Sequence, residues 1–107
     1  MLFLVPQAKL KTVNGEVVQI QDGDTLTIKT GRDRLRKVRL ADIDAPEMGQ
    51  PFGKVARRLA VDLALEKTVR VNYTFKDKYG RLIGEVFLPD GKLLNEEMLK
   101  AGLAWHY

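Results

Sequence analysis

The spacing of apolar residues along this chain changes period once, and that change limits the folds open to it. Over most of the 107 residues apolar and polar positions alternate, as in strands with one face against a core. From Gly53 to Lys67 the spacing becomes three and four. Val55, Ala56, Leu59, Ala60, Leu63 and Ala64 form one helix stripe, with Lys54, Arg57, Arg58, Asp62 and Glu66 largely outside it. Three strand-like runs precede this helix. Lys9 to Gln21 carries a candidate turn at Asn14-Gly15, Thr25 to Thr30 puts Leu26 and Ile28 on one face, and Arg34 to Ile43 is broken at Ala45-Pro46. Proline donates no ladder hydrogen bond, so the strand cannot continue there. Two more runs follow: Thr68 to Lys76, with Val69, Val71, Tyr73 and Phe75 facing inward, and Leu82 to Leu88. A short last helix is expected, with Asn95 as its N-cap, Glu96 and Glu97 in its first turn and Gly102 at C′.

That order is three strands, a helix, two strands and a short C-terminal helix. It is mainly β with helices (α+β) and fits a five-stranded Greek-key barrel, the OB-fold, a scaffold that often binds nucleic acids and sugars. The alternative is a generic α+β sandwich. With no repeat, low-complexity tract or linker, residues 1–107 read as a single domain, with 1–8 as a loosely ordered N-terminal segment.

Composition narrows the chemistry. There is no Cys and one His, which excludes a disulfide framework, a thiol nucleophile and the usual zinc sites. The longest apolar stretch, Met1 to Val5, falls far short of the roughly 20 residues that cross a bilayer, so no membrane is expected. Any reaction must run on carboxylates, arginines, hydroxyls and a hard metal ion. The net charge of +4 is unevenly spread: Lys29, Arg32, Arg34, Arg36, Lys37 and Arg39 face only Asp33 between residues 29 and 39. Acids gather at Asp22-Gly23-Asp24 and from Asp42 to Glu47. A basic surround with a compact acidic spot points to a polyanion such as nucleic acid, with a metal between them; the plainer alternative is a solvated strand face.

Three turn segments carry the candidate residues. Asp22-Gly23-Asp24-Thr25 is the first, Arg39 to Glu47 the second, and Asp77-Lys78-Tyr79-Gly80-Arg81 the third. Asp42, Asp44 and Glu47 put three carboxylates within six residues, which repel unless a metal or arginine sits among them.

The segments DGDT (22–25), VRLADIDAPE (38–47), KYGR (78–81) and NEEMLKAGLA (95–104) together resemble the staphylococcal (micrococcal) nuclease family, from about Gly15 onward. The resemblance implies a Ca²⁺-dependent nuclease that hydrolyses DNA and RNA with little sequence preference and leaves 3′-phosphate ends. Asp24 and Asp44 match its calcium carboxylates, the Ala45 backbone carbonyl a further metal ligand, and Asp22 an acid just outside the metal. Glu47 matches the carboxylate assigned as general base, Arg39 and Arg81 the two arginines that grip the scissile phosphate. Lys78 and Tyr79 match positions near the terminal phosphate of bound nucleotide. A monomer with no obligate protein partner, secreted or at the cell surface, is expected on the same ground, although no signal peptide is visible.

The sequence departs from the family pattern in places. The loop from Met48 to Gly53 is short, Asp42 is an added acid expected to face solvent, and the chain stops at Tyr107, short of the tyrosines that usually meet the base. Trp105 is expected to pack against the barrel, and His106 to take no catalytic part. The rival from another class is a non-catalytic nucleic-acid-binding OB-fold module, expected to have lost some of Asp24, Arg39, Asp44, Glu47 and Arg81; all five are present.

Overall fold

The computed structural model describes residues 9–106. Its elements are β1 (Lys11–Asp22), β2 (Thr25–Thr30), β3 (Arg34–Leu40), β4 (Ile43–Asp44), α1 (Gly53–Ala64), β5 (Thr68–Lys76), β6 (Leu82–Phe87), α2 (Leu94–Lys100) and β7 (Trp105–His106). Five of the strands close a barrel in the order β1-β2-β3-β6-β5, and β4 pairs with β7 in a small separate sheet. The mainly-β barrel expected from the period change is therefore present, with α1 between its third and fourth strands and α2 after its fifth.

Closure depends on two pairings that sequence order does not suggest. Long β1 serves two neighbours, pairing with β5 from Lys11 to Glu16 and with β2 from Glu16 to Asp22. Asn14 and Gly15 pair with Arg70 and Val69 inside that strand, so the turn expected there does not form. With β5 supplying partners on both sides of the dipeptide, the chain has no reason to reverse. The second pairing is parallel, β3 against β6, with Val38, Arg39 and Leu40 beside Leu82, Ile83 and Gly84. Val17, Ile20, Leu26, Ile28, Val38, Leu40, Val69, Val71, Leu82 and Val86 are buried in the core, together with Leu94 and Met98 of α2.

Helix α1 meets the barrel at β1 and also touches α2. Its buried face is narrower than the expected stripe: Gly53, Ala56, Ala60 and Ala64 are buried, while Val55 is exposed. Small side chains on that face let the helix lie close. The helix ends at Ala64 rather than Lys67, because Leu65 is extended and Glu66 takes a positive φ of 67°. In β5 the alternation slips: a register shift between Tyr73 and Phe75 turns Phe75 outward, leaving it exposed rather than inward.

Asn95 is the clearest departure at the C-terminal helix. Leu93, not Asn95, is the N-cap, and Asn95 is buried one residue inside α2. Its Nδ2 donates to the carbonyls of Ala41 (3.0 Å) and Gly84 (3.2 Å), and its Oδ1 accepts from the Val86 amide (3.1 Å). The Ala41 amide in turn donates to the Gly84 carbonyl at 2.8 Å. One side-chain amide thus joins α2, β6 and the turn after β3. At the other end of α2 Gly102 does take the C′ place, with its amide on the Leu99 carbonyl and that of Leu103 on the Met98 carbonyl.

Asn95→Ala leaves the buried Val86 amide and the partly buried Ala41 carbonyl without this partner. It is expected to cost about 1–3 kcal/mol of stability, read from urea unfolding. An unchanged midpoint and slope would show that water or a local shift replaces the amide.

Candidate functional site

The first acidic turn, 22–25, joins β1 to β2. Asp22 Oδ1 accepts from the Asp24 amide at 3.0 Å, and Thr25 Oγ1 donates to Asp24 Oδ1 at 2.9 Å. Gly23 between them is wedged: an added Cβ would lie 2.8 Å from Cβ of Ala56 and 2.9 Å from Cβ of Ala45. Only a residue without a side chain lets this turn sit between α1 and the segment after β4. The wedge aims Asp24 inward, where it is 6% exposed and its Oδ2 accepts from the Ala45 amide at 2.9 Å.

Arg39, near the end of β3, links this turn to the second segment. Its Nη1 donates to the carbonyls of Leu40 (3.0 Å) and Ile43 (2.8 Å), and its Nη2 to Asp44 Oδ1 at 2.9 Å. Asp24 Oδ2 lies 3.4 Å from Nη1. The chain makes this possible by turning at Ala41 and Asp42, the latter at φ 64°, so β3 stops at Leu40 and does not run on to Ile43. Asp42 itself is exposed, as expected.

Arg81 comes to the same place by the parallel pairing of β3 with β6. Leu82 and Val38 are partners and point into the core, so Arg81 and Arg39, each next to one of them, both face outward. A cleft of about 220 Å³ has Arg39, Asp42, Phe75, Asp77 and Arg81 among its lining residues. Asp77, which sequence reasoning left without a role, fixes Arg81. Its Oδ1 accepts from the amides of Tyr79 and Arg81, both at 2.9 Å, and its Oδ2 accepts from Arg81 Nε at 2.8 Å. The signal was available, since an Asp that opens a four- or five-residue turn commonly binds the amides two and four residues on. Tyr79 is exposed, with the Lys78 ammonium 5.2 Å and the Arg81 guanidinium 5.5 Å from its ring centre.

Glu47 is exposed and does not line that cleft. Its backbone is held firmly: the Glu47 amide donates to Gln50 Oε1 at 2.8 Å, and Gly53 packs so closely that an added Cβ would meet the Glu47 carbonyl. A larger groove of about 510 Å³ lies nearby, among Pro46, Gln50, Pro51, Phe52, Ala101, Gly102, Leu103 and Trp105. It has no ionisable lining group, whereas the smaller cleft carries both arginines. Trp105 is half exposed along this groove instead of packing on the barrel, because β7 pairs with β4 outside the barrel. His106 is exposed beside it, and Tyr107 lies outside the described residues.

Among the described residues no group of three or more His, Cys, Asp or Glu side chains is arranged to hold a metal. Asp24 and Asp44 instead meet as a pair on Arg39. The donor chemistry still suits a hard cation, since Asp24, Asp44 and the backbone around Ala45 offer oxygen only, with water to complete the set. The acidic turn also carries more negative charge than its surroundings favour. Burial, and then the hydrogen bond and charge of Asp24, push the Asp22 carboxyl up to about 6.

Asp77 shows the opposite shift. Partial desolvation works to raise its pKa, but the hydrogen bonds from Arg81 and Tyr79 and the guanidinium charge together hold it below the ordinary 3.8. A depressed folded pKa stabilises the charged form above the unfolded value, and that contribution is lost as pH falls through the folded value. The turn should therefore hold Arg81 at pH 4 and release it only in stronger acid. A carboxyl NMR titration should place Asp77 below 3.8, and a midpoint at or above that would contradict the bonded turn.

Comparison with known proteins agrees with this geometry. A family model described as staphylococcal nuclease homologue matches residues 37–107, which include Arg39, Asp44, Glu47 and Arg81. A protein of Escherichia coli O157:H7 named an uncharacterized endonuclease is 42% identical over 95 residues, covering 89% of this chain and 61% of its own. A micrococcal nuclease of Shigella flexneri is 45% identical over 101 residues, covering 87% and 58%. An uncharacterized endonuclease of Haemophilus influenzae is 45% identical over 91 residues, covering 85% and 51%. The chain thus spans between half and two thirds of the length of these curated relatives. With the family model matching residues 37–107, about two thirds of the chain, and a five-stranded closed barrel with two helices around them, this chain belongs to the staphylococcal nuclease homologue family.

Proposed function

We propose that the chain is a nuclease that hydrolyses phosphodiester bonds of DNA and RNA with Ca²⁺ and leaves 3′-phosphate ends. The observation that carries this reading is that Arg39 and Arg81, distant in sequence, open onto one cleft while Asp24 and Asp44 back Arg39. Two guanidiniums can donate paired hydrogen bonds to one phosphate and offset the charge that builds as water adds to phosphorus. Their positions are set in advance, Arg39 by two carbonyls and two carboxylates, Arg81 by Asp77. Little reorganisation is then needed at the moment of reaction. Names of relatives, a micrococcal nuclease and endonucleases, support the same reading.

Asp24, Asp44 and the Ala45 carbonyl would hold the ion, with Asp22 just outside. When bound, Ca²⁺ supplies positive charge and Lewis acidity at the phosphate. Glu47, exposed outside the cleft, would act from its rim, taking a proton from the attacking water as the water oxygen bonds to phosphorus and the bond from phosphorus to the 5′-oxygen breaks; that oxygen takes a proton from solvent, and the phosphate stays on the 3′ side. Lys78 and Tyr79, on the turn that carries Arg81, contact the nucleotide beyond it.

A binding module that does not cut is the second reading. It is favoured by one observation: Arg39 pairs with both Asp24 and Asp44, so each carboxylate has a cationic partner, although one guanidinium offsets only half of their combined charge. Incubation of plasmid DNA and RNA with Ca²⁺ or with chelator separates the two readings. Cleavage in Ca²⁺ only is expected, with Arg81→Ala slower by about 10²–10³ and Glu47→Gln strongly impaired. Retained DNA binding with no cleavage in Ca²⁺ at micromolar protein would establish the second reading and overturn the first.

A further inference from the structure

The basic run between residues 29 and 39 is only partly used by the site, since Arg39 alone lines the cleft. Barrel geometry divides the rest. Val38 and Leu40 are buried, so Arg39, Lys37 and Leu35 share the outer face of β3, about 6.6 Å apart. Across the ladder Thr25 pairs with Arg39, Thr27 with Lys37 and Lys29 with Leu35, which puts Lys29 on that same face. Arg34 and Arg36 fall on the other side and belong to a different surface. Carried one residue back, the parallel pairing of Val38 with Leu82 sets Lys37 level with Arg81.

Lys37 therefore stands next to both arginines of the cleft without lining it, and Lys29 lies one step further out. Both lysines are exposed. No acid occurs on this face of the two strands, which carries Thr25, Thr27, Lys29, Leu35, Lys37 and Arg39. Two acids flank Lys29: Glu16, its exposed cross-strand partner on β1, and Asp33, 3.2 Å away in an ion pair exposed on both sides. Such a pair contributes little and yields easily to a phosphate. The 6.6 Å step along the strand is about twice the axial charge spacing of one nucleic-acid strand, about 3.4 Å.

We propose that the outer face of β2 and β3, with Lys37 and Lys29 in line with Arg39, is a second phosphate-binding surface that holds a nucleic-acid strand beyond the bond being cut. The proposal rests on the nuclease reading for the identity of the cleft. It adds that the substrate is a polynucleotide several phosphates long, not a short fragment held by the cleft alone. Leu35, exposed between the charges, offers an apolar contact for a base or sugar.

Binding of a twelve-nucleotide single strand, measured in chelator by fluorescence anisotropy across a salt series, tests this without requiring cleavage. Each phosphate contact adds about 0.7 to the slope of log affinity against log salt on single strands. The double variant Lys29→Ala, Lys37→Ala should lower that slope by about 1.4. A control of equal charge change, Lys67→Ala with Lys92→Ala, removes two exposed lysines elsewhere and should leave the slope as in the parent. Equal slopes for parent and Lys29/Lys37 variant, or an equal loss in the control, would overturn the surface. A parent that shows the lysine-dependent slope yet never cuts in Ca²⁺ would support the surface while removing the nuclease reading.

Discussion

The hydrogen bonds of one guanidinium hold the functional end of this barrel together. Arg39 donates to two backbone carbonyls, those of Leu40 and Ile43, and meets the carboxylates of Asp24 and Asp44. Those contacts come from three successive stretches of chain: the β1–β2 turn, the end of β3 and the short strand β4. A planar group with five fixed donors can satisfy carbonyls and carboxylates at once, and a lysine ammonium cannot cover the same directions. The bonds that fold the segment after β3 back over the barrel are thus the bonds that orient the arginine toward the cleft.

Other groups keep that arrangement in place from behind. Gly23 fits the acidic turn between Ala56 and Ala45, and Asn95 ties the Ala41 carbonyl to β6 from inside α2. The parallel pairing of β3 and β6 closes the barrel and also sets Arg81 beside Arg39. Fold and site therefore share contacts, and a change at Asn95 acts on both. Stability and positioning are coupled here because the site is built on barrel strands and the turns between them rather than on a separate loop.

The alternation of Thr25 to Thr30 and Thr68 to Val71, and the helical spacing after Gly53, were legible because burial imposes those periods directly. The carboxylates and arginines were legible through charge and family resemblance. Long-range partners decided the rest. Asn14-Gly15 has local turn chemistry, yet β5 pairs across it. Asn95 has the local chemistry of a cap, yet its amide reaches residue 41, 54 positions away. Phe75 continues the alternation on paper, but the register shift against β6 reverses its direction. Trp105 reads as a core aromatic and lies outside, because its strand pairs with β4 and not with the barrel. No local pattern could report these pairings.

The two aspartates with shifted acidity divide the electrostatics of the site. Asp77 and Asp22 are the same residue type, each accepting backbone amides in a tight turn. Asp77 has a guanidinium at 2.8 Å and is held below its ordinary value; Asp22 has burial and the neighbouring Asp24 and is pushed up to about 6. The arginine side of the cleft is therefore already compensated within the protein. The acidic turn is not fully so, even with Arg39 against Asp24. A phosphate entering at Arg39 and Arg81 would bring further negative charge toward that turn. On the nuclease reading proposed above, such a phosphate would add to the need for a cation beside Asp22 and Asp24, whose side chains offer oxygen only.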